Sequence, residues 1–206
     1  MNIQELLDLA SRGVISPKSL WNDKLDDNRA WSDSLKSPIL TFVGVVAVLS
    51  AVMIVLFGYQ IPFIGVVRPT MGEIVLQAVG SVILYVIPIS IMSWVAVYLS
   101  KRVGGIENQN RAIWMLFLVS IPSLLGQAFA TVPMIGLLLS LGLGIYSMVL
   151  FYKAIPIFME VPLEKRLSYF ILMILASIVV SLVLHFTLGQ FLQPSVPDMG
   201  HLEMQH

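Results

Sequence analysis

The amino-acid sequence predicts an all-α fold: a polytopic membrane bundle of five transmembrane helices, preceded by short N-terminal amphipathic helices. Two observations carry this prediction. Of the 206 residues, 57% are hydrophobic and only 12% are charged, which lies outside the usual composition of a soluble domain. The apolar residues also fall into five long runs with almost no charge inside them. Each run approaches or exceeds the roughly 20 residues that a helix needs to cross a hydrocarbon core of about 30 Å.

Charge balance and motif content exclude several classes of function. The 12 basic residues equal the 12 acidic ones and are scattered singly or in pairs, so we expect no nucleic-acid partner. The absence of cysteine excludes a disulfide, a thiolate nucleophile and a zinc–thiolate site. The sequence contains no HExxH, GxSxG, Walker A or GxGxxG motif, so we expect no enzyme and no cofactor.

Residues 1–37 form the one sizeable polar segment, and we expect it to be cytoplasmic. It carries acids and lacks a basic start followed by an apolar run, so we do not interpret it as a cleaved signal peptide. Apolar spacing predicts an amphipathic helix that ends near Gly13, and Ser16 with Pro17 predicts the start of a second helix over 17–27. We expect both helices to lie on the membrane surface or dock on the bundle; the alternative is a partly ordered tail.

Five spans are predicted in order over 38–58, 73–99, 111–130, 134–158 and 166–192. They form a transmembrane domain of residues 38–193, followed by an extracytoplasmic tail at 194–206. The connection at 131–133 is so short that the third and fourth spans must form an antiparallel hairpin. The loop at 59–72 is apolar, so we expect it to lie at the membrane interface, with a re-entrant segment as the alternative.

The positions of lysine and arginine predict the orientation. All of the 12 basic residues except Arg68 fall on one side of the predicted spans. Because basic residues are enriched in cytoplasmic loops, the N-terminus is expected in the cytoplasm and the C-terminus outside.

Small and polar residues recur at helical spacing within the spans. Gly136, Ser140 and Gly144 form a series that lets a neighbouring helix approach closely. Packing surfaces are the first interpretation of all these stripes. The alternative is a small channel or transporter whose pathway is lined by Gln77, Ser81, Gln127, Ser181 and His185. No acidic residue lies near the centre of a span, which argues against a carboxylate proton relay.

The C-terminal tail carries side chains that could bind a divalent metal. His201, Glu203 and His206 have the right chemistry, although their spacing matches no established metal motif. Metal binding at the tail is therefore a further alternative function.

The stretch 145–167 joins the last two spans at a charged corner. Helical rise places Lys153 at the cytoplasmic interface, where its ammonium reaches water, and Pro156 removes a backbone donor, so the helix should kink or loosen. Glu160 follows in the turn. An ordinary interfacial turn is one interpretation; the other is a recognition corner for lipid or a partner, carried by Tyr152, Lys153, Pro156 and Glu160.

Three segments resemble the Yip1 family, particularly its bacterial branch. They are YKAIPIFMEVPLEKRLSYF at 152–170, the preceding glycine-rich LGLGIYSMVLF, and ISPKSLW at 15–21. The resemblance implies a five-helix membrane protein without catalytic residues. In eukaryotic members it implies binding of prenylated small GTPases and a role in vesicle traffic and membrane shaping.

The N-terminal cytoplasmic segment here is short, so small GTPase binding is not carried over to this chain. We expect a non-enzymatic protein of the bacterial inner membrane. It would act through a membrane-protein partner or as a homo-oligomer among membrane lipids, in membrane organisation or trafficking-like processes.

Overall fold

The structure is a computed structural model that describes residues 2–25, 30–61, 65–184 and 186–187. Over these residues it confirms the predicted all-α class. Five helices are long and apolar enough to cross a membrane. They are α4 (Leu40–Phe57), α5 (Met71–Val103), α6 (Gln109–Ala128), α7 (Gly136–Phe158) and α8 (Leu163–Leu184).

Three short helices precede the first span: α1 (Ile3–Ile15), α2 (Pro17–Leu25) and α3 (Trp31–Ser34). A π-helical turn at Leu35–Ile39 contains Pro38 and continues directly into α4. Helix α1 ends at Ile15, two residues beyond the glycine near which the sequence predicted its end. The predicted start of the second helix at Pro17 agrees with the structure.

A small β-hairpin follows α4, where the sequence predicted an interfacial loop and no strand. Strand β1 (Tyr59–Ile61) pairs antiparallel with β2 (Gly65–Val67). Gly58 ends α4 with φ of +68°, a conformation that favours glycine, and so turns the chain into the hairpin. Helix α5 then begins at a capping box in which Thr70 and Glu73 each bond the other's backbone N–H.

Helix α6 lies at the centre of the bundle. Its side chains at Trp114, Phe117, Leu118 and Ile121 are fully buried, and α4, α5, α7 and the short N-terminal helices all pack on it. Helix α8 packs mainly on α5 instead. The outer helices consequently expose many apolar side chains, which suits a lipid environment.

Glycines allow α6 and α7 to pack closely as an antiparallel hairpin. A Cβ atom built on Gly126 would lie 3.0 Å from the Cα atom of Ser140, and one built on Gly136 would overlap the carbonyl of Ala130. Ser140, one of the small residues predicted to allow close approach, therefore lies against α6, whereas Gly136 lies against Phe129 and Ala130 in the turn that follows α6. Gly144 has no atom within 4 Å of such a position and faces open space.

We expect Gly126→Leu to destabilise the bundle, because a side chain there must displace the α7 backbone. Overpacking of this kind costs about 1–3 kcal/mol. Gly142→Leu is the matched control, since no atom lies within 4 Å of its Cβ position. Thermal unfolding in detergent should show a lower Tm for Gly126→Leu alone. Equal melting of the two variants would contradict the close packing of α6 on α7.

Candidate functional site

Two chain segments meet at the corner, which we define as residues 100–111 together with 152–170. The Met159 carbonyl accepts hydrogen bonds from the Ile106 N–H at 2.9 Å and from the Ser100 hydroxyl at 3.4 Å. Gly105 lies so close to the same carbonyl that any Cβ atom would overlap it. Glu160, the next residue, has φ of +52°, in the left-handed region. The backbone thus fixes where Glu160 points.

The corner separates the residues that the sequence grouped there. An Arg111 guanidinium nitrogen donates to the Glu160 carboxylate at 2.8 Å. Lys153 is exposed, and none of the ion pairs among the described residues involves it. Glu160 is therefore bonded to α6 and not to Lys153. Helix α7 continues through Pro156 and ends two residues later, at Phe158.

Aromatic rings join α7 to α8 at the corner. The Tyr152 ring lies edge-on to Phe170 with ring centroids 5.5 Å apart, and the Arg166 guanidinium lies 5.9 Å from the centroid of the Tyr152 ring. Phe151 also contacts Phe170, at 5.6 Å between centroids. The Nε atom of Arg166 is buried without a hydrogen-bond partner among the described residues. Lys153 and Arg166 thus supply positive charge next to an aromatic contact.

The N-terminal helices dock on the bundle as a hairpin. A Cβ atom on Gly13 would lie 2.7 Å from a methyl carbon of Ile121, and the Tyr146 hydroxyl donates to the Val14 carbonyl at 2.9 Å. Over the described residues 2–25, the N-terminal segment is therefore docked on the bundle, as one of the two predictions had it. Sequence reasoning missed the contact, although a glycine within an otherwise helical pattern was the available signal.

The turn between α1 and α2, which is the tip of this hairpin, lies level with the middle part of the spanning helices. Ile121 is twelve residues from Gln109, the first residue of α6, and Tyr146 is twelve residues from Phe158, the last residue of α7. At about 1.5 Å of rise per residue, each lies about 18 Å along its helix from the corner. The contacts with α6 and with α7 therefore agree that the turn between α1 and α2 lies about 18 Å from the corner.

Charged residues of the hairpin bond to each other and to aromatic rings. Arg12 bonds Asp23 at 2.5 Å and Asp8 at 3.3 Å, and the bond to Asp23 contributes most to raising the pKa of the Arg12 guanidinium. The Lys24 ammonium lies 4.8 Å from the centroid of the Trp114 ring. This pairing lowers the cost of placing the charges against an apolar bundle.

A lateral cleft opens between α7 and α8, with α5 and α6 behind it. Its volume is about 710 Å³. The contact of Phe151 with Phe170 joins α7 to α8 at the corner end. The polar side chains that line the cleft are Tyr85, Ser120, Ser123, Gln127, Ser140, Ser147, Ser177 and Ser181.

Most polar groups of the cleft are bonded to the protein. The Tyr85 and Ser120 hydroxyls bond each other, and the Ser147 hydroxyl accepts from the Ser123 N–H at 3.0 Å. Hydroxyls that donate to a carbonyl of their own helix belong to Ser120, Ser123, Ser140 and Ser177. The amide of Gln127 has no partner among the described residues. None of the lining residues in the described part of the chain is charged.

The structure brings together only part of the predicted pathway. Gln127 and Ser181 both line the cleft. Gln77 instead accepts a hydrogen bond from the Tyr59 hydroxyl of β1, and Ser81 is exposed and bonds the Ala78 carbonyl of its own helix. The expectation that Ser81 faces protein was wrong. Ser147, one turn beyond Gly144, is a cleft residue that the sequence did not single out.

The remaining predicted site residues, His185, His201, Glu203 and His206, lie outside the described residues. Within the described ranges, no group of three or more histidine, aspartate or glutamate side chains could hold a metal ion. Metal binding at the tail stays a prediction.

The bundle of five apolar helices, with charged residues at its ends and a lateral cleft between helices, is that of an integral membrane protein. A family model described as the Yip1 domain matches residues 12–185, and the chain belongs to the Yip1 family. The match includes the inner part of the N-terminal hairpin, the corner and the cleft. No curated protein and no solved structure matches the chain.

The depth of the N-terminal hairpin can be tested with single cysteines, because the chain has none of its own. Ile15 is 80% exposed in the structure yet lies near the deep tip, so Ile15→Cys should be shielded by lipid. In inverted vesicles, which expose the side predicted for the N-terminus, a membrane-impermeant maleimide should label Gln4→Cys near the start of α1 and leave Ile15→Cys unlabelled. Equal labelling of the two cysteines in these vesicles would mean that the hairpin does not reach into the bilayer.

Proposed function

We propose that this protein is non-enzymatic and acts by binding a hydrophobic component of the membrane in the cleft between α7 and α8. Binding there would organise that component within the bilayer. The observation that carries this proposal is the cleft itself: it opens sideways between two spanning helices, and its lining combines apolar side chains with hydroxyls and one free amide. Such concave, mostly apolar sites with a few polar groups are typical of ligand binding.

The placement of the acids supports a role without catalysis. General acid–base chemistry needs ionisable groups that converge on one cavity. Among the described residues, Glu160 pairs with Arg111, Glu107 with Lys101, and Glu73 caps α5. Of the described residues that line the cleft, tyrosine is the only ionisable one.

We propose further that the corner faces the cytoplasm, with the N-terminus cytoplasmic, the C-terminus outside, and the protein in the bacterial inner membrane. The support is the gathering of basic side chains at that end of the bundle: Lys101, Arg102, Arg111, Lys153, Lys165 and Arg166. In this orientation Lys153 and Arg166 can contact lipid headgroups or a membrane-protein partner, including a second copy of this chain.

This orientation predicts opposite labelling of two surface cysteines. Lys153→Cys should react with an impermeant maleimide in inverted vesicles and only after permeabilisation in intact cells. Met134→Cys, at a 94% exposed position in the turn between α6 and α7, should show the opposite pattern. Labelling of both cysteines from the same side would contradict five spans with this arrangement.

The cleft proposal predicts a specific photo-crosslink. A p-benzoylphenylalanine at Ile145, which lines the cleft, should give discrete adducts with a membrane component, and Gly144→Leu should abolish them by filling the cleft. The control position is Val149, which is exposed on the same helix but lies outside the cleft lining. Equal adducts at both positions, insensitive to Gly144→Leu, would sink the proposal.

Transport of a small solute is the second candidate, favoured by the hydroxyls along the cleft. A pathway would have to open the Phe151–Phe170 contact at the corner end. Flux of ions and small solutes into proteoliposomes separates the two functions, with Gln127→Leu and Lys153→Ala for comparison. We expect no flux. Flux that Gln127→Leu reduces would instead make the cleft a transport path.

A further inference from the structure

The cleft has an apolar end and a polar end. At the corner end the lining side chains are Phe151, Met92 and Met173. At the opposite end, beside the turn between α6 and α7, they include Gln127, Ser140 and Ser181. A ligand that fits this gradient has an apolar tail directed toward the corner and a polar group at the other end.

The length of the cleft matches one leaflet. On α7 its lining runs from Ser140 to Phe151, eleven residues apart, which is about 16 Å of helical rise. Half of a hydrocarbon core of roughly 30 Å is about 15 Å. The apolar part of one lipid therefore spans the cleft, while a transmembrane helix would extend beyond it at the closed end.

The α7 wall of the cleft combines small and bulky residues: Ser140, Gly144 and Ser147 alternate with Leu141, Ile145 and Met148. The volume of about 710 Å³ lies within the range of small-molecule sites, about 300–1,000 Å³.

The polar end fits an uncharged headgroup. Phosphate recognition uses arginine, lysine or converging backbone N–H groups, and none of the described residues that line the cleft is charged. Gln127 offers two donors and one acceptor, none of which has a partner among the described residues. The Gln127 side chain is exposed, so the ester carbonyl or hydroxyl of a ligand can reach its amide.

We propose that the cleft binds one acyl lipid with an uncharged, hydroxyl- or ester-bearing headgroup, whose polar end bonds Gln127 and Ser181. This rests on the proposed function of the cleft and specifies its ligand class. The lipid enters sideways from the leaflet on the side of the turn between α6 and α7. Gly144 leaves the space that its chain occupies, since no atom lies within 4 Å of a Cβ position there.

The test measures lipid binding to the purified full chain by native mass spectrometry, with a monoacylglycerol and the lysophosphatidic acid of the same acyl chain as probes. We expect one monoacylglycerol per chain and weaker binding of the phosphate analogue. Gln127→Leu should weaken monoacylglycerol binding roughly tenfold, as the loss of one hydrogen bond in an apolar site predicts. Gly144→Leu should abolish binding, whereas Gly142→Leu and Ser81→Ala, both outside the lining, should not change it.

The contrary outcomes distinguish an error in the proposed headgroup from an error in the proposed site. Equal binding of the two probes, or no effect of Gln127→Leu, would overturn the uncharged headgroup. Monoacylglycerol binding that survives Gly144→Leu would place the lipid elsewhere. Absence of lipid together with a Gly144→Leu-sensitive crosslink to a membrane protein at Ile145 would overturn the lipid and keep the proposed function. Absence of both would overturn both. Comparison of the melting temperatures ensures that the variants are folded.

Discussion

The central position of α6 determines the rest of the structure. Lipid tails are as apolar as leucine, so helices in a membrane associate through close contact and not through hydrophobic burial. Helix α6 supplies such contacts on several sides: Gly126 admits α7, Ile121 receives Gly13 of α1, and Trp114 lies under Lys24 of α2. Helix α8 packs mainly on α5, and its separation from α7 beyond the corner leaves the cleft.

The all-α class and the number of spans could be predicted because the bilayer constrains each segment of the chain separately, whatever its tertiary contacts. Every backbone group in hydrocarbon must be bonded internally, so a long apolar run must be a helix. The ion pairs of the corner obey no such rule. Glu160 lies seven residues from Lys153 but binds Arg111, 49 positions away, because the contact of Gly105 with the Met159 carbonyl fixes the turn. Only the fold reveals that partner.

The N-terminal hairpin shows why apolar patterns are weak guides at a membrane. Leu7 is exposed and Leu9 is buried, yet lipid and protein accept either side chain equally. The residue that decides the docking is Gly13, which the sequence suggested as a helix end. Because Gly13 has no side chain, α1 can approach Ile121 closely. A glycine in such a position cannot be told from a helix terminator until its neighbour across the interface is known.

Polar stripes raise the same difficulty for the cleft, and the chemistry of each side chain resolves it. A serine in a helix can bond a carbonyl of its own preceding turn, as Ser81 does toward lipid and Ser177 does inside the cleft. A serine with such a bond is tolerated both toward lipid and inside the protein, so its presence in a sequence does not indicate which of the two it faces. Gln127 has no such bond within its own helix. Gln77, by contrast, accepts its hydrogen bond from Tyr59, in the β-hairpin that directly precedes α5. The proposed binding role of the cleft therefore depends on the free amide of Gln127 and not on the serine stripe.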